Sequence, residues 1–589
     1  MKQFFVTFFA VLAALLTLLL MVPLAALWLS AAPEIEVPKG LILVLDMNRS
    51  LREAPAADPL SRMVEEQPIS VPEVVSALTK AAEDDRVVGL SLTLGAGNAS
   101  TAQIQEIRDS IIRFKSKGKF VLAYAQQIAG LGLGAYYLAA ASDQIWLQTT
   151  SELHATGMAV ATPFVKESLG KIGVSPQFGK RHEYKTAANT FLESDFTQHH
   201  RESLEDLVQS IFDHVTGDIA KDRGWAREHF VDLVNRGPHA AEDALEQGLI
   251  DRLGYRDEYQ EALFREGGKE AEEITVGEYL ERFGGAYDSG EKIALIYGVG
   301  TIVAGKSNDR SGTFSLGLTM GGDTIAQAFK DAAADPEVKA ILFRVSSPGG
   351  SYLASDQIWR AAIKAREAGK PVVASLGALA ASGGYFVAMA ADEILTQPGT
   401  ITGSIGVLGG KLVTAKLLEK LGVKLGEISV GENALLQSSQ REYTPEQWQW
   451  INRSLDRVYR DFVAKVASAR RLNEAQTDSA ARGRIWSGSD ALEVGLVDEL
   501  GGFAAAIERA KALGGIEPGV PVKLTQFPRA KTISEQLATF LTGLDSLEKT
   551  GAVLGELAQA PYVAETLAPL GVGQEPYGLL SMPPLYELR

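Results

Sequence analysis

Apolar residues run without a charge from Phe4 to Leu29, longer than the roughly 20 residues a helix needs to cross a bilayer. The pattern predicts one membrane-spanning helix rather than a cleaved signal, whose apolar region covers about 7–15 residues. Lys2 lies on the short side, so the positive-inside tendency keeps the N-terminus cytoplasmic and sends the bulk of the chain across, to the periplasm or exterior. Beyond the span the pattern changes. Short apolar, β-branched runs alternate with longer helical patterns such as Asp356 to Ala368, the mark of α/β units around largely parallel strands.

That alternation occurs twice, with a period of about 250 residues. Gly40-Leu41-Ile42-Leu43-Val44-Leu45 is echoed by Lys292-Ile293-Ala294-Leu295-Ile296, and Val87 to Leu92 by Val338 to Phe343. Gly134-Ala135-Tyr136-Tyr137 matches Gly383-Gly384-Tyr385-Phe386, Ala155-Thr156-Gly157 matches Ile401-Thr402-Gly403, and Lys171-Ile172-Gly173-Val174 matches Lys420-Leu421-Gly422-Val423. Matches kept in order over this distance predict two similar α/β domains, 31–285 and 286–515, after an anchor at 1–30. Residues 516–589 lie outside both copies as an extension of unclear role, with a helical pattern around Ile533 to Leu557.

Composition narrows the function. The chain has 589 residues, 46% hydrophobic and 22% charged, so most of it can bury a core. With 57 basic against 73 acidic residues the net charge is −16, the wrong sign for binding phosphate backbones, and nucleic acid is not an expected partner. A cysteine count of zero removes disulfides, thiol nucleophiles and cysteine-ligated metals.

The two copies differ where chemistry would sit. In the second, Ser346-Ser347-Pro348-Gly349-Gly350 lies between a buried strand and a helix, where paired glycines let backbone N–H groups form an anion-binding nest, a plausible oxyanion hole. Ala380-Ala381-Ser382-Gly383-Gly384-Tyr385 then places Ser382 at a helix start, as a nucleophile or as an ordinary N-cap serine. The first copy has Leu133 in that place and Gly95-Ala96-Gly97-Asn98 for the glycine turn.

A serine needs a base, usually histidine. All seven histidines fall in the first copy, none after His239, and no Gly-x-Ser-x-Gly elbow surrounds Ser382. The remaining candidate is Lys185, eleven residues past Val174; the same count past Val423 lands on Ala434. One copy keeps the serine and loses the lysine, the other the reverse, as in a divided active site. Lysine acts as a base only if burial brings its pKa down from about 10.4 toward neutrality, and a domain interface can supply that burial. The competing expectation is an ordinary surface lysine.

The Ser-Pro-Gly-Gly turn, the Ala-Ser-Gly-Gly-Tyr helix start, Thr402-Gly403-Ser404-Ile405-Gly406-Val407 and Tyr184-Lys185-Thr186-Ala187, on a tandem α/β chain, resemble the long-form signal peptide peptidase family, SppA or protease IV. The resemblance covers both copies and the anchor. It implies a Clp protease and crotonase-like superfold, and hydrolysis of peptide bonds by a Ser-Lys dyad without metal or cofactor. Carried over by position, Ser382 is the nucleophile, Lys185 the general base and Ser404 the hydroxyl that orients the lysine. The oxyanion donors are the N–H groups of Gly383 and of one of Gly349 and Gly350. The resemblance also implies a membrane-seated homo-oligomer of four chains, acting on released signal peptides and other unfolded apolar peptides.

Three other readings compete. Gly300-Thr301-Ile302-Val303-Ala304-Gly305-Lys306-Ser307 fits a phosphate-binding loop letter for letter, but the turn-rich Asn308 to Thr313 follows instead of a helix. A crotonase-like acyl-CoA enzyme would share the paired-glycine turn but has no need of a serine–lysine pair. A non-catalytic membrane scaffold would not explain why complementary Ser and Lys are kept.

Overall fold

The computed structural model describes residues 40–55, 68–95, 99–128, 133–307 and 318–529, together with the backbone of 579–581. The expected span from Phe4 to Leu29 and the helical pattern from Ile533 to Leu557 lie outside the described residues. Among the described residues no helix is long and apolar enough to cross a membrane.

Two sheets repeat one plan. In the first, Arg252–Leu253, Gln144–Leu147, Phe120–Ala125, Val87–Leu94, Leu41–Asp46 and Glu272–Thr275 lie side by side, all parallel. In the second, the path Glu499–Leu500, Glu393–Thr396, Val372–Ala381, Val338–Ser347, Glu291–Val299 and Val522–Phe527 follows the same order, again parallel. Even the irregularities repeat: the register slips between Leu41 and Ile42, and between Lys292 and Ile293. The central strands Val87–Leu94 and Val338–Ser347 are buried almost throughout, as parallel strands covered by helices on both faces must be. The strand Val522–Phe527 carries the second sheet past residue 515, where the sequence pattern closed that copy. Its counterpart Glu272–Thr275 resembles it too little to signal the match.

The copies interlock. Val71 and Val75, on the first copy's helix Val71–Glu83, pack with Ile293, Leu295, Leu342, Phe503 and Ile507 of the second. That helix is well started: Ser70 and Glu73 form a reciprocal capping box and Pro72 sits in its first turn. A third sheet crosses the boundary, with Ser175–Arg181 of the first copy antiparallel to Val407–Val413 of the second, from Ser175 opposite Val413 to Arg181 opposite Val407.

An ion cluster sits at the same boundary. Arg344, fully buried in the second copy, places Nη2 2.9 Å from Glu53 Oε2 and 2.7 Å from Glu106 Oε1, both of the first. Its Nη1 donates to Ser375 Oγ at 2.9 Å. Glu53 Oε1 accepts from Gln103 Nε2 and from the backbone N–H of Ala378, each at 3.0 Å. Two carboxylates hold the guanidinium charged, while burial raises the pKa of Glu106. Removing the cation would strand two buried carboxylates. Arg344→Met is expected to cost ~3–5 kcal/mol, read as a lower denaturation midpoint in urea; an unchanged midpoint would show that the cluster does not hold the copies together.

Candidate active site

The second sheet delivers Ser382. Its strand Val372–Ala381 leaves Val338–Ser347 after Leu376 and rejoins it at Ala380, so that Gly377, Ala378 and Leu379 bulge outward. Glu53 of the first copy pins the bulge through Ala378. The strand end then pairs with Ile401–Gly403, and Ser382 N–H donates to Gly403 O at 2.8 Å. Ser382 has φ +56° and ψ −113°, a left-handed backbone that a non-glycine residue holds only when its surroundings fix it. It stands at the N-cap position of the helix Gly383–Ala388, yet its side chain makes no capping bond. The N-cap alternative is therefore not what the hydroxyl does. Leu133 holds the same place before the helix Gly134–Ala140 with an ordinary φ of −99°.

The third sheet delivers Lys185. After the strand Ser175–Arg181 the chain turns, with Lys185 N–H donating to His182 O at 3.1 Å, and the side chain enters the second copy. Lys185 is fully buried, not a surface lysine. Its Nζ lies 2.8 Å from Ser382 Oγ, 2.9 Å from Ser404 O and 3.0 Å from Ser404 Oγ. Burial alone drives this amine well below the ordinary lysine value of 10.5. An uncharged amine fits the three contacts: two N–H groups donate to Ser404, and the lone pair faces the Ser382 hydroxyl. Among the described residues, no histidine side chain bonds to Ser382 or Lys185.

Several residues that the sequence pattern did not single out hold the lysine. A Cβ on Gly483, whose φ is +89°, would fall 2.4 Å from Lys185 N. A Cβ on Gly406 would fall 3.1 Å from Lys185 Cδ. Only glycine lets the two backbones approach this closely. Around them Arg181 pairs with Asp456 at 2.5 Å, Arg482 with Glu183 at 2.7 Å and Arg484 with Glu202 at 3.3 Å, each across the boundary between copies. Gly406 lies inside the Thr402–Val407 motif, but nothing local marks Gly483. The counterpart of Lys185, Ala434, is exposed.

The paired glycines face the helix start. Gly349 and Gly350 have φ of +99° and +153°, and a Cβ on Gly383 would fall 3.0 Å from Gly349 Cα and 3.1 Å from Gly350 N. Gly349 N–H donates to Ser347 Oγ at 3.1 Å. Gly383, first in its helix, has an N–H with no intrahelical acceptor. Beside this turn runs a groove bounded by Gly349–Ser351 and Val407–Val413. An extended segment of the same chain, Leu579–Ser581, lies in it antiparallel to both, with Ser581 opposite Gly349, Leu580 opposite Gly350 and Leu579 opposite both Ser351 and Leu408. Leu579–Ser581 falls within the extension to which the sequence pattern gave no role.

The phosphate-loop lookalike has a different fate. Thr301–Val303 is a strand paired with Thr319–Gly321; Ser307 Oγ accepts from Gly321 N–H at 2.9 Å, and Ser307 N–H donates at 2.8 Å to Thr324 Oγ1 of the helix Gly322–Ala334. Lys306 and Ser307 are themselves not helical, and the next helix among the described residues begins at Gly322.

The model of Peptidase family S49 matches residues 113–268 and 364–517 of this chain, one stretch in each copy. The serine protease SPPA, chloroplastic, of Arabidopsis thaliana is 31% identical over 81% of this chain and 70% of its own. Protease 4 of Haemophilus influenzae is 31% identical over 76% of this chain and 73% of its own. Protease 4 of Salmonella typhi is 30% identical over 83% and 78%. Among solved structures, a ClpP1 mutant from Listeria monocytogenes aligns with 36% of this chain and 94% of its own at 14% identity and a TM-score of 0.22, too low to carry an argument.

The buried amine has a thermodynamic signature. Because the pKa of Lys185 is depressed in the folded chain, the unfolded chain binds the extra proton between that value and 10.5, so stability falls as pH drops through this window and is flat below it. Lys185→Met removes the slope. The melting temperature of the variant, relative to the parent, should rise steadily as pH is lowered from 10.5. A difference independent of pH would mean that the lysine is not held uncharged.

Proposed function

The chain belongs to peptidase family S49 and is a serine peptidase, and from this premise we propose that Ser382 and Lys185 form its catalytic dyad. The single observation that carries the reading is the 2.8 Å approach of a fully buried lysine amine, depressed by desolvation, to the hydroxyl of a strained serine. Uncharged Lys185 takes the Ser382 proton as Oγ attacks a peptide carbonyl, and Ser404 holds the amine by two bonds so that its lone pair points at the serine. The developing oxyanion is received by backbone N–H groups. The proposed donors are the N–H groups of Gly383 and of the Gly349–Gly350 turn. The lysine then gives its proton to the leaving amine, and water, activated by the same amine, clears the acyl-enzyme. The residues need no metal or cofactor for these steps.

The substrate enters as an extended strand. Leu579–Ser581 supports this, since the groove that ends at the oxyanion turn pairs all three residues with Gly349–Ser351 on one side and Leu579 with Leu408 on the other. Released signal peptides and other unfolded apolar segments are the proposed substrates, because they reach the groove without having to unfold. The resemblance and the uncharged run from Phe4 to Leu29 support single-pass membrane anchoring, with the two α/β domains, the second of them running on through Val522–Phe527, on the periplasmic or exterior side. By the same resemblance the protein self-associates, four chains to an assembly.

Ser382→Ala and Lys185→Ala are each expected to lower turnover of a short peptide by roughly 10³-fold or more without changing the assembly. The check is steady-state hydrolysis alongside native mass measurement. Normal turnover in either variant would overturn the dyad.

A further inference from the structure

Ser347 ends the strand Val338–Ser347, two residues before the first glycine of the oxyanion turn, and is fully buried. Its hydroxyl bridges two segments. Oγ donates to Gly300 O at 2.7 Å and accepts from Gly349 N–H at 3.1 Å, so its one proton is given and a lone pair is used. Gly300 answers with a second bond, its N–H donating to Ser346 O at 2.9 Å. Gly300 is also the first glycine of the phosphate-loop lookalike. Its place requires glycine without any phosphate: φ is +90°, and a Cβ there would fall 1.9 Å from Leu318 O.

The same residue touches the other half of the oxyanion site. A Cβ on Gly384, the second residue of the helix Gly383–Ala388, would fall 2.5 Å from Ser347 O and 3.3 Å from Ser347 Cβ. Ser347 is thus wedged between the turn and the helix whose first N–H, that of Gly383, is the other proposed donor. A turn of two successive glycines, with φ of +99° and +153°, has wide conformational freedom unless something removes it. Oxyanion donors stabilise a transition state only when they are already aimed at the place where charge develops. Gly350 is held on its far side by Ile302, from whose carbonyl oxygen a Cβ would stand 2.1 Å, and Gly349 is held by the Ser347 hydroxyl. The first copy, which has Leu133 in place of the nucleophile, carries no serine in Gly95-Ala96-Gly97-Asn98.

We propose that Ser347 is a positioning residue of the oxyanion site: its hydroxyl, braced on Gly300 O, fixes the Gly349–Gly350 turn against the start of the Gly383 helix, so that the N–H groups of both face the developing oxyanion. In this role Ser347 acts through the turn and touches no reacting atom. The inference rests on the dyad of Ser382 and Lys185 proposed above and adds to it what holds the oxyanion donors in place.

The test compares two ligands on the full-length, detergent-solubilised protein, a peptide aldehyde of apolar sequence and the alcohol of the same sequence. When Ser382 attacks the aldehyde, the Oγ–C bond forms, the carbonyl π pair moves onto oxygen and the Ser382 proton passes to Lys185, so aldehyde affinity reports the oxyanion donors. The alcohol occupies only the groove. Ser347→Ala should lower kcat roughly 10–100-fold, less than the ~10²–10³-fold that deleting a donor costs, with KM nearly unchanged. It should weaken the aldehyde by a similar factor and leave the inhibition constant of the alcohol as in the parent. Ser347→Cys, which keeps the volume but bonds weakly, should show the same pattern in smaller degree, and it stands in if the alanine variant does not fold. Equal loss of aldehyde and alcohol affinity would mean that Ser347 only supports the groove, and parent values throughout would mean that the turn needs no bridge. Either result overturns the assignment and leaves the dyad standing, whereas normal turnover in Ser382→Ala overturns both.

Discussion

A lysine can serve as a base at ordinary pH only where water is kept from its amine, and in this chain no single domain excludes it. Lys185 is carried on the first copy, but the walls of its pocket, Gly406, Gly483, Ser404 and Ser382, all belong to the second. The contacts that close the pocket therefore bear on the chemistry. The antiparallel pairing of Ser175–Arg181 with Val407–Val413 aims the lysine, and charge pairs such as Arg482 with Glu183 fix the turn that follows the strand. The buried Arg344 cluster pins, through Glu53, the bulge immediately before the strained serine. Each of these contacts has one partner in each copy.

Duplication followed by complementary loss explains the layout. The two sheets keep strand order and even a shared register slip, because the core of a parallel sheet tolerates little change. Leu133 has an ordinary backbone, whereas Ser382 holds a strained one.

The repeated apolar strands, the Ser-Pro-Gly-Gly turn and the helix start at Gly383 were legible in the sequence because each is a local pattern of period, glycine or cap. The split of Ser382 and Lys185 between copies was legible by counting from matched residues. What sequence could not carry is packing across the boundary. Gly483 lies in an unremarkable Arg-Gly-Arg, and its importance appears only when the Lys185 backbone is seen against it. Glu53, which no local pattern marks, is buried against Arg344, almost 300 residues away. The edge strand Val522–Phe527 and the pairing of Leu579–Ser581 escape for the same reason, since both are set by partners distant in the chain.

The central claim is that an uncharged Lys185 activates Ser382. The most direct measurement is the rate at which a fluorophosphonate modifies Ser382 as a function of pH, followed by intact mass, in the parent and in Lys185→Met. In the parent the rate should rise with pH through one ionisation well below 10.5, and in the variant labelling should be lost across the range. Labelling that is flat with pH, or that survives in the variant at the parent's rate, would contradict the account.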